Sequence, residues 1–239
     1  MGRAAVNGRR KRFYRDVSVT GVKNGFAVQL DGCPLKTPGK LPLVTGLEHV
    51  ADLIAREWDA QEDIIRPETM PVTRLVNVTI ELTPGNRGQL VAQARSYGET
   101  DLLCYRAKAP RTLVDRQTDQ WDPVLKWAES QGISLDTTQS VHAVTQPGAS
   151  LERVAGYTSG LADLELTLFS HLTAVFGSVV LAMAVMDKHI NGDEAFILSR
   201  LDIDYQIENW GEDADAAENA RKLRAEINAL CKIIRGKNS

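Results

Sequence analysis

The stretch from Leu172 to Met186 constrains the fold of this chain more than any other. It carries no charge and is bounded by His171 and Asp187. Left in water it would expose a continuous apolar surface, so it belongs in a core. It is shorter than the roughly 20 residues that cross a bilayer. Gly177 and Ser178 within it are small enough to let helices pack closely. The spacing predicts one long apolar helix, reaching about His189, at the centre of a soluble bundle.

The segments around it are helical in pattern. Ser150 can cap a helix through Val154, Tyr157 and Leu161. Asn191-Gly192 breaks the long helix, and Asp193 is placed to cap the next one, which runs to about Gly211. The stripe Ala216, Ala220, Leu223, Ile227, Leu230, Ile234 has the alternating four- and three-residue spacing of an amphipathic helix.

The first third of the chain reads differently. Val17 and Val19 alternate with polar residues, Asn24-Gly25 is a hairpin signal, and Phe26, Val28 and Leu30 alternate again. Asp31-Gly32 offers another turn, and Pro34, Pro38 and Pro42 keep the next segment at an edge or in loops. Thr45-Gly-Leu-Glu48 has the form of a capping box opening a helix through Val50, Ile54 and Trp58. Thr83-Pro84 reads as a helix start, and Asp122-Pro123 as the cap of a short helix ended by Gly132. Met70 to Asn77 and Leu102 to Arg106 fit no single type. The fold class is therefore α+β. A β-rich N-terminal domain with one helix, residues 1–85, precedes a larger all-helical domain, residues 86–239.

The net charge is only −3, so the whole-molecule field does not argue for nucleic acid. The signs are nevertheless segregated. Arg3, Arg9, Arg10, Lys11, Arg12 and Arg15 make the start basic. From Leu201 to Ala220 there is no Lys or Arg, while Asp202, Asp204, Glu208, Glu212, Asp213, Asp215 and Glu218 are all acidic. Solvated helix faces usually mix signs, because opposite charges one turn apart support the helix. Tyr205 and Trp210, set among these carboxylates, make the run either a surface suited to a basic partner or an ordinary solvated acidic helix. Cys33, Cys104 and Cys231 are odd in number and have no metal-ligand or redox spacing, which points to reduced thiols in a reducing compartment. The basic start leads into Phe13-Tyr14-Arg15-Asp16 and not into an apolar segment, so no secretory signal is read.

Catalytic patterns are sparse. There is no phosphate-binding glycine loop, no G-x-S-x-G elbow and no H-E-x-x-H metal helix. His49, His142, His171 and His189 are scattered, and no metal or cofactor is expected. Asp202 and Asp204, two apart on a helix, point to different sides and make a poor cation site. One polar pair, Glu99 and Asp101, sits where the two domains should join and offers an alternative reading as an acidic enzyme site. Its plainer reading is a helix end and the cap of the next element. A third reading, nucleic-acid binding by the basic arm of residues 1–12, lacks an aromatic stacking platform.

Several blocks also occur, in the same order, in a known family: Arg-Glu-Trp-Asp-Ala-Gln (56–61), Met-Pro-Val-Thr-Arg-Leu-Val-Asn (70–77), Thr-Asp-Leu-Leu-Cys-Tyr-Arg-Ala (100–107), Trp-Asp-Pro-Val-Leu-Lys-Trp (121–127) and 199–211. From about residue 13 to 230 the chain resembles the assembly chaperone of the F-type ATP synthase head that binds unassembled alpha subunit in mitochondria and alphaproteobacteria. The resemblance implies a non-enzymatic, monomeric chaperone without membrane insertion or nucleic acid. It would hold alpha until beta subunit replaces it. It implies an important acidic position directly after Ser-Arg-Leu, here Asp202, where the family usually has glutamate; with the acidic and aromatic pattern around it, the expected partner surface is Asp202, Asp204, Tyr205, Glu208, Trp210 and Glu212. It implies a structural role for Glu57 and Trp58. Without a Ser- and Arg-rich leader, a bacterial cytoplasm is expected over a mitochondrial matrix.

Overall fold

A computed structural model describes residues 10–140, 142 and 144–235, the side chain of Arg235 excepted. Arg3 and Arg9 of the basic arm lie outside the described residues. The described chain forms two compact units, one up to Gly85 that also takes in the residues from Lys232 on, the other from Asn86 to Cys231.

The first unit is built on four antiparallel strands, β1 (Val17–Val22), β2 (Gly25–Leu30), β3 (Cys33–Pro34) and β4 (Val44–Thr45), with β2 paired to all three others. The pairing Val22↔Gly25 leaves Lys23-Asn24 as the turn, one residue earlier than the Asn-Gly signal placed it. Gly25 adopts φ +134°, and a Cβ there would run into the Thr45 carbonyl, so the strand start must be glycine. The second turn is Asp31-Gly32, both at positive φ. The Asp31 carboxylate accepts from the backbone N–H of Arg15 and Asp16, each at 2.9 Å.

Helix α1 (Glu48–Asp59) lays Val50, Ala51 and Ile54 on this sheet. The expected capping box does not form; Leu47 is the N-cap, and Thr45 Oγ1 accepts from Leu47 N instead. Met70–Asn77, unassigned from sequence, opens α2 (Pro71–Glu81). Pro71 takes the first position, where no backbone donor is needed. The Glu57 carboxylate then accepts from Val72 N (2.7 Å), Thr73 N (2.8 Å) and Thr73 Oγ1 (2.7 Å). Two of the orphan donors at the start of α2 are thereby satisfied by a side chain of α1. Burial pushes the Glu57 carboxyl above its usual pKa, against the pull of these donors. Tyr14 meets Trp58 edge-on and donates to its carbonyl at 2.6 Å. The described part of the basic arm is tied down here. Lys11 pairs with Ile64, and the Arg12 guanidinium donates to the carbonyls of Tyr14, Arg15, Asp59 and Gln61. Residues Lys232–Arg235 form a short helical turn in this unit, with the Ile233 carbonyl 2.9 Å from His49 Nε2.

Helix α3 (Thr83–Glu99) leads into the second unit, which continues as α4 (Arg111–Ser130), α5 (Gly148–Ser159), α6 (Asp163–Phe176), α7 (Val179–Met186), α8 (Gly192–Ser199), α9 (Leu201–Trp210) and α10 (Ala214–Leu230). Its core is α7, in which every side chain from Val179 to Val185 is buried. Leu166, Leu168, Phe169, Leu172 and Phe176 of α6 pack around it.

The single long apolar helix expected here is two helices. Gly177 adopts the left-handed conformation (φ 64°) that ends α6, and Ser178 caps α7 by accepting from Leu181 N at 3.0 Å. Further helix boundaries differ from the sequence reading. The helix expected from Asp193 to about Gly211 is also two, divided at Arg200 into α8 and α9. Asp122-Pro123 caps nothing, because α4 runs straight through Pro123. The lost backbone donor is outweighed by the burial of Trp121, Val124 and Ala128 on either side of it. Asn191, not Asp193, is the N-cap of α8, in a reciprocal capping box with Glu194. Asp193 is drawn away by Arg224 of α10, at 2.5 and 2.6 Å. Ser150 lies inside α5, bonded to both backbone groups of Ser134. No described helix is long and apolar enough to cross a membrane.

Candidate functional site

Helix α9 carries most of the predicted partner residues. It buries only one side chain, Leu201, and rests on α4 through polar contacts. The Asp202 carboxylate accepts from Gln117 Nε2 at 2.7 Å. Gln117 is itself buried, and its amide oxygen accepts from Ala107 N at 2.8 Å, which fixes the side of the amide that faces Asp202. Arg106 reinforces the same corner by donating to Leu103 O, Gln117 O and Asp122. One turn back along α4, Thr112 Oγ1 is 2.7 Å from the Tyr205 hydroxyl. Between them, Arg116 grips Glu208 through two parallel hydrogen bonds of 2.8 Å and lies over the Tyr205 ring, 5.3 Å from its centroid. Such bidentate pairs are the strong form of the interaction. They hold the Glu208 carboxyl below its ordinary pKa and raise that of Arg116.

The remaining predicted residues point elsewhere. Asp204 pairs one turn back along its own helix with Arg200, at 3.3 Å. Trp210 is the last residue of α9 and is 78% exposed. Gly211 stops the helix at φ +92°. Glu212 follows in the exposed link, and Asp213 caps α10 by accepting from Ala216 N at 2.9 Å. The six residues named from sequence therefore do not share one face. Asp202, Tyr205 and Glu208 turn toward α4, Asp204 lies on a flank, and Trp210 and Glu212 are at the outer end.

Sequence reasoning missed Thr112, Arg116 and Gln117. Arg116 and Glu208 are 92 positions apart, and no local pattern links them. The acidic run thus finds its counter-charge in Arg116 of α4 and not in the basic start of the chain.

The alternative acidic site is not assembled. Glu99 is exposed and pairs with Arg95 at 2.7 Å. Asp101 is fully buried. Its carboxylate accepts from Leu103 N (3.0 Å), Ser178 Oγ (2.8 and 2.9 Å) and Val180 N (3.1 Å). It thus caps both the 3-10 turn Leu102–Cys104 and the start of α7. Burial raises its pKa to about 6, with the donors pulling it back down. Among the described residues, no group of three His, Cys, Asp or Glu side chains is arranged to hold a metal ion.

Residues 11–129 match the family model described as ATP12 chaperone protein. The crystal structure of Atp12 from Paracoccus denitrificans is 35% identical to this chain, with a TM-score of 0.89 over 95% of this chain and 98% of that one. The chain belongs to the ATP12 chaperone family. The mitochondrial protein atp12 of Schizosaccharomyces pombe is 29% identical over 225 residues, covering 87% of this chain and 76% of the yeast one. The Atu1473 protein of Agrobacterium tumefaciens superposes with a TM-score of 0.90 at 37% identity, over 95% of this chain and 86% of that one. The ATP12 family comprises chaperones of ATP synthase assembly, and the mixed architecture described above is the Atp12 fold. The family match covers Glu57, Arg116 and Gln117, while α9 lies beyond it.

Proposed function

We propose that this protein binds the free alpha subunit of ATP synthase, keeps it from aggregating and yields it to the beta subunit. An unassembled alpha subunit exposes a large interface meant for its neighbour, and exposed apolar area on that scale aggregates. A chaperone for it must cover that area and still let go, which calls for moderate affinity and electrostatic guidance. Helix α9 and the acidic link after it are the binding element in this reading, through Asp202, Asp204, Tyr205, Glu208, Trp210 and Glu212. The observation that carries it is Trp210. A tryptophan left 78% exposed at the end of a helix is an anchor of the kind that dominates interfaces.

The test uses purified alpha subunit and the full chain. Wild type is expected to co-elute with alpha and to suppress its light scattering on warming at near-equal molar ratio. The Asp202→Lys variant, which loses the bond to Gln117 and reverses a charge, is expected to protect at least tenfold less well. Alpha that aggregates equally with and without the wild-type protein would sink the proposal.

A further inference from the structure

On α9 the exposed apolar residues lie on the side of the helix opposite Glu208 and the seam with α4. At about 100° per residue, Leu201, Tyr205 and Glu208 fall together on the side that meets α4. Ile203, Ile207 and Trp210, spaced by four and then three, fall on the other. Ile203 is 47% exposed, Ile207 half-buried and Trp210 78% exposed. The carboxylates that look like a partner surface in the sequence are thus engaged by the protein itself. Gln117 holds Asp202, Arg200 holds Asp204, and Arg116 holds Glu208 at both oxygens. What faces away from α4 is an aliphatic stripe ending in an indole.

The charge left uncommitted lies at the end of that stripe. Glu212 and Asp215 are exposed just past Gly211. The carbonyl end of α9 adds its own partial negative charge at the same place. No Lys or Arg lies between Leu201 and Ala220 to offset it.

We infer that Ile203, Ile207 and Trp210 form a docking stripe for an apolar segment of the client that is followed by lysine or arginine. The apolar part lies along α9 and the cation meets Glu212 and Asp215. Arg116 and Gln117 are positioning residues, fixing the rotation of α9 so that the stripe faces outward. This rests on the reading that alpha subunit is the client. It departs from that reading in assigning Asp202 and Glu208 to contacts within the chaperone and not to the docking contact.

Equilibrium binding of labelled alpha subunit to the full chain, at low and raised salt, tests it. Trp210 and Ile203 are exposed, so Trp210→Ala with Ile203→Ser leaves the fold intact, as circular dichroism would verify. That pair is expected to weaken binding at least tenfold with the salt dependence retained. Glu212→Lys with Asp215→Lys is expected to weaken binding severalfold and to remove most of the salt dependence. If wild type binds alpha and the Trp210/Ile203 variant binds within twofold of it, the stripe is not the docking surface. If the stripe instead mediates concentration-dependent self-association that the same variant abolishes, the occupant is a second copy and the inference falls. Failure of wild type itself to bind alpha would overturn the client assignment, a separate result.

Discussion

Replacing Asp101 by asparagine should change stability by an amount that depends on pH, with a sign that can be worked out beforehand. In the folded protein this carboxyl titrates near 6, against 3.8 as its ordinary value. Between those values the folded state holds a proton that the unfolded state has released. Stability from this group is therefore complete below the unfolded value and is lost as pH rises through the folded one. At about 1.4 kcal/mol per pKa unit, the full loss is about 3 kcal/mol, of which about 2.4 kcal/mol falls between pH 4 and pH 7. Asparagine has nearly the same shape and cannot ionise, so it escapes this loss. It also offers a single acceptor to the donors Leu103 N, Ser178 Oγ and Val180 N. One donor left without a partner in the core costs about 1–3 kcal/mol at every pH. Asp101→Asn should accordingly be clearly destabilising at pH 4 and close to neutral at pH 7. Urea unfolding of both proteins at several pH values measures this, provided the m-values agree. Other groups titrate alike in the two proteins and cancel in the difference. A gap that stays constant, or that widens toward pH 7, would refute the reasoning. A widening gap would mean that the start of α7 stabilises the ionised carboxylate more than burial penalises it.

Two further substitutions probe close contacts. At Gly192 an added Cβ would lie 2.5 Å from Cys231 Sγ and 3.1 Å from Ile227 Cγ2, so Gly192→Ala should lower stability by about 1–3 kcal/mol; thermal unfolding should show part of that loss recovered when Cys231→Ala is added, and no recovery would mean that the contact is not what matters. Glu57→Gln replaces an anionic acceptor of three hydrogen bonds with one amide oxygen at the start of α2, and a cost of about 1–2 kcal/mol is expected from the lost cap; an unchanged urea midpoint would remove Glu57 from the account of that helix.

The parts of the fold legible in the sequence are those set by local pattern. Alternation marks β1 and β2, Asp31-Gly32 marks the turn after them, and the composition of Leu172–Met186 marks the core. What pattern misses is where an apolar run changes direction. Periodicity is uninterrupted across Gly177, and only the left-handed backbone there, with Asp101 supplying acceptors to the new helix start, divides it into α6 and α7. At Pro123 a local breaker loses to buried neighbours, because most helical stability in a folded chain comes from tertiary packing. The candidate site shows the same limit. The exposure of Trp210 follows from its acidic setting, but the internal pairing of Glu208 depends on Arg116 from another helix. Charge counted along a chain says little about charge left over once the chain has folded.

The short turn Lys232–Arg235 bears on the order in which the protein can mature during synthesis. It belongs to the unit formed by the residues up to Gly85, and Ile233 offers its carbonyl to His49. The helical unit, Asn86–Cys231, is thus an insertion between two parts of a single folding body. At about 5–20 residues per second, the ribosome needs on the order of ten seconds to make that insertion. Throughout that interval the sheet and α1 exist without the segment that completes their unit. The assembly factor is for that time an incompletely folded chain, emerging first-unit-first and finishing its first unit last.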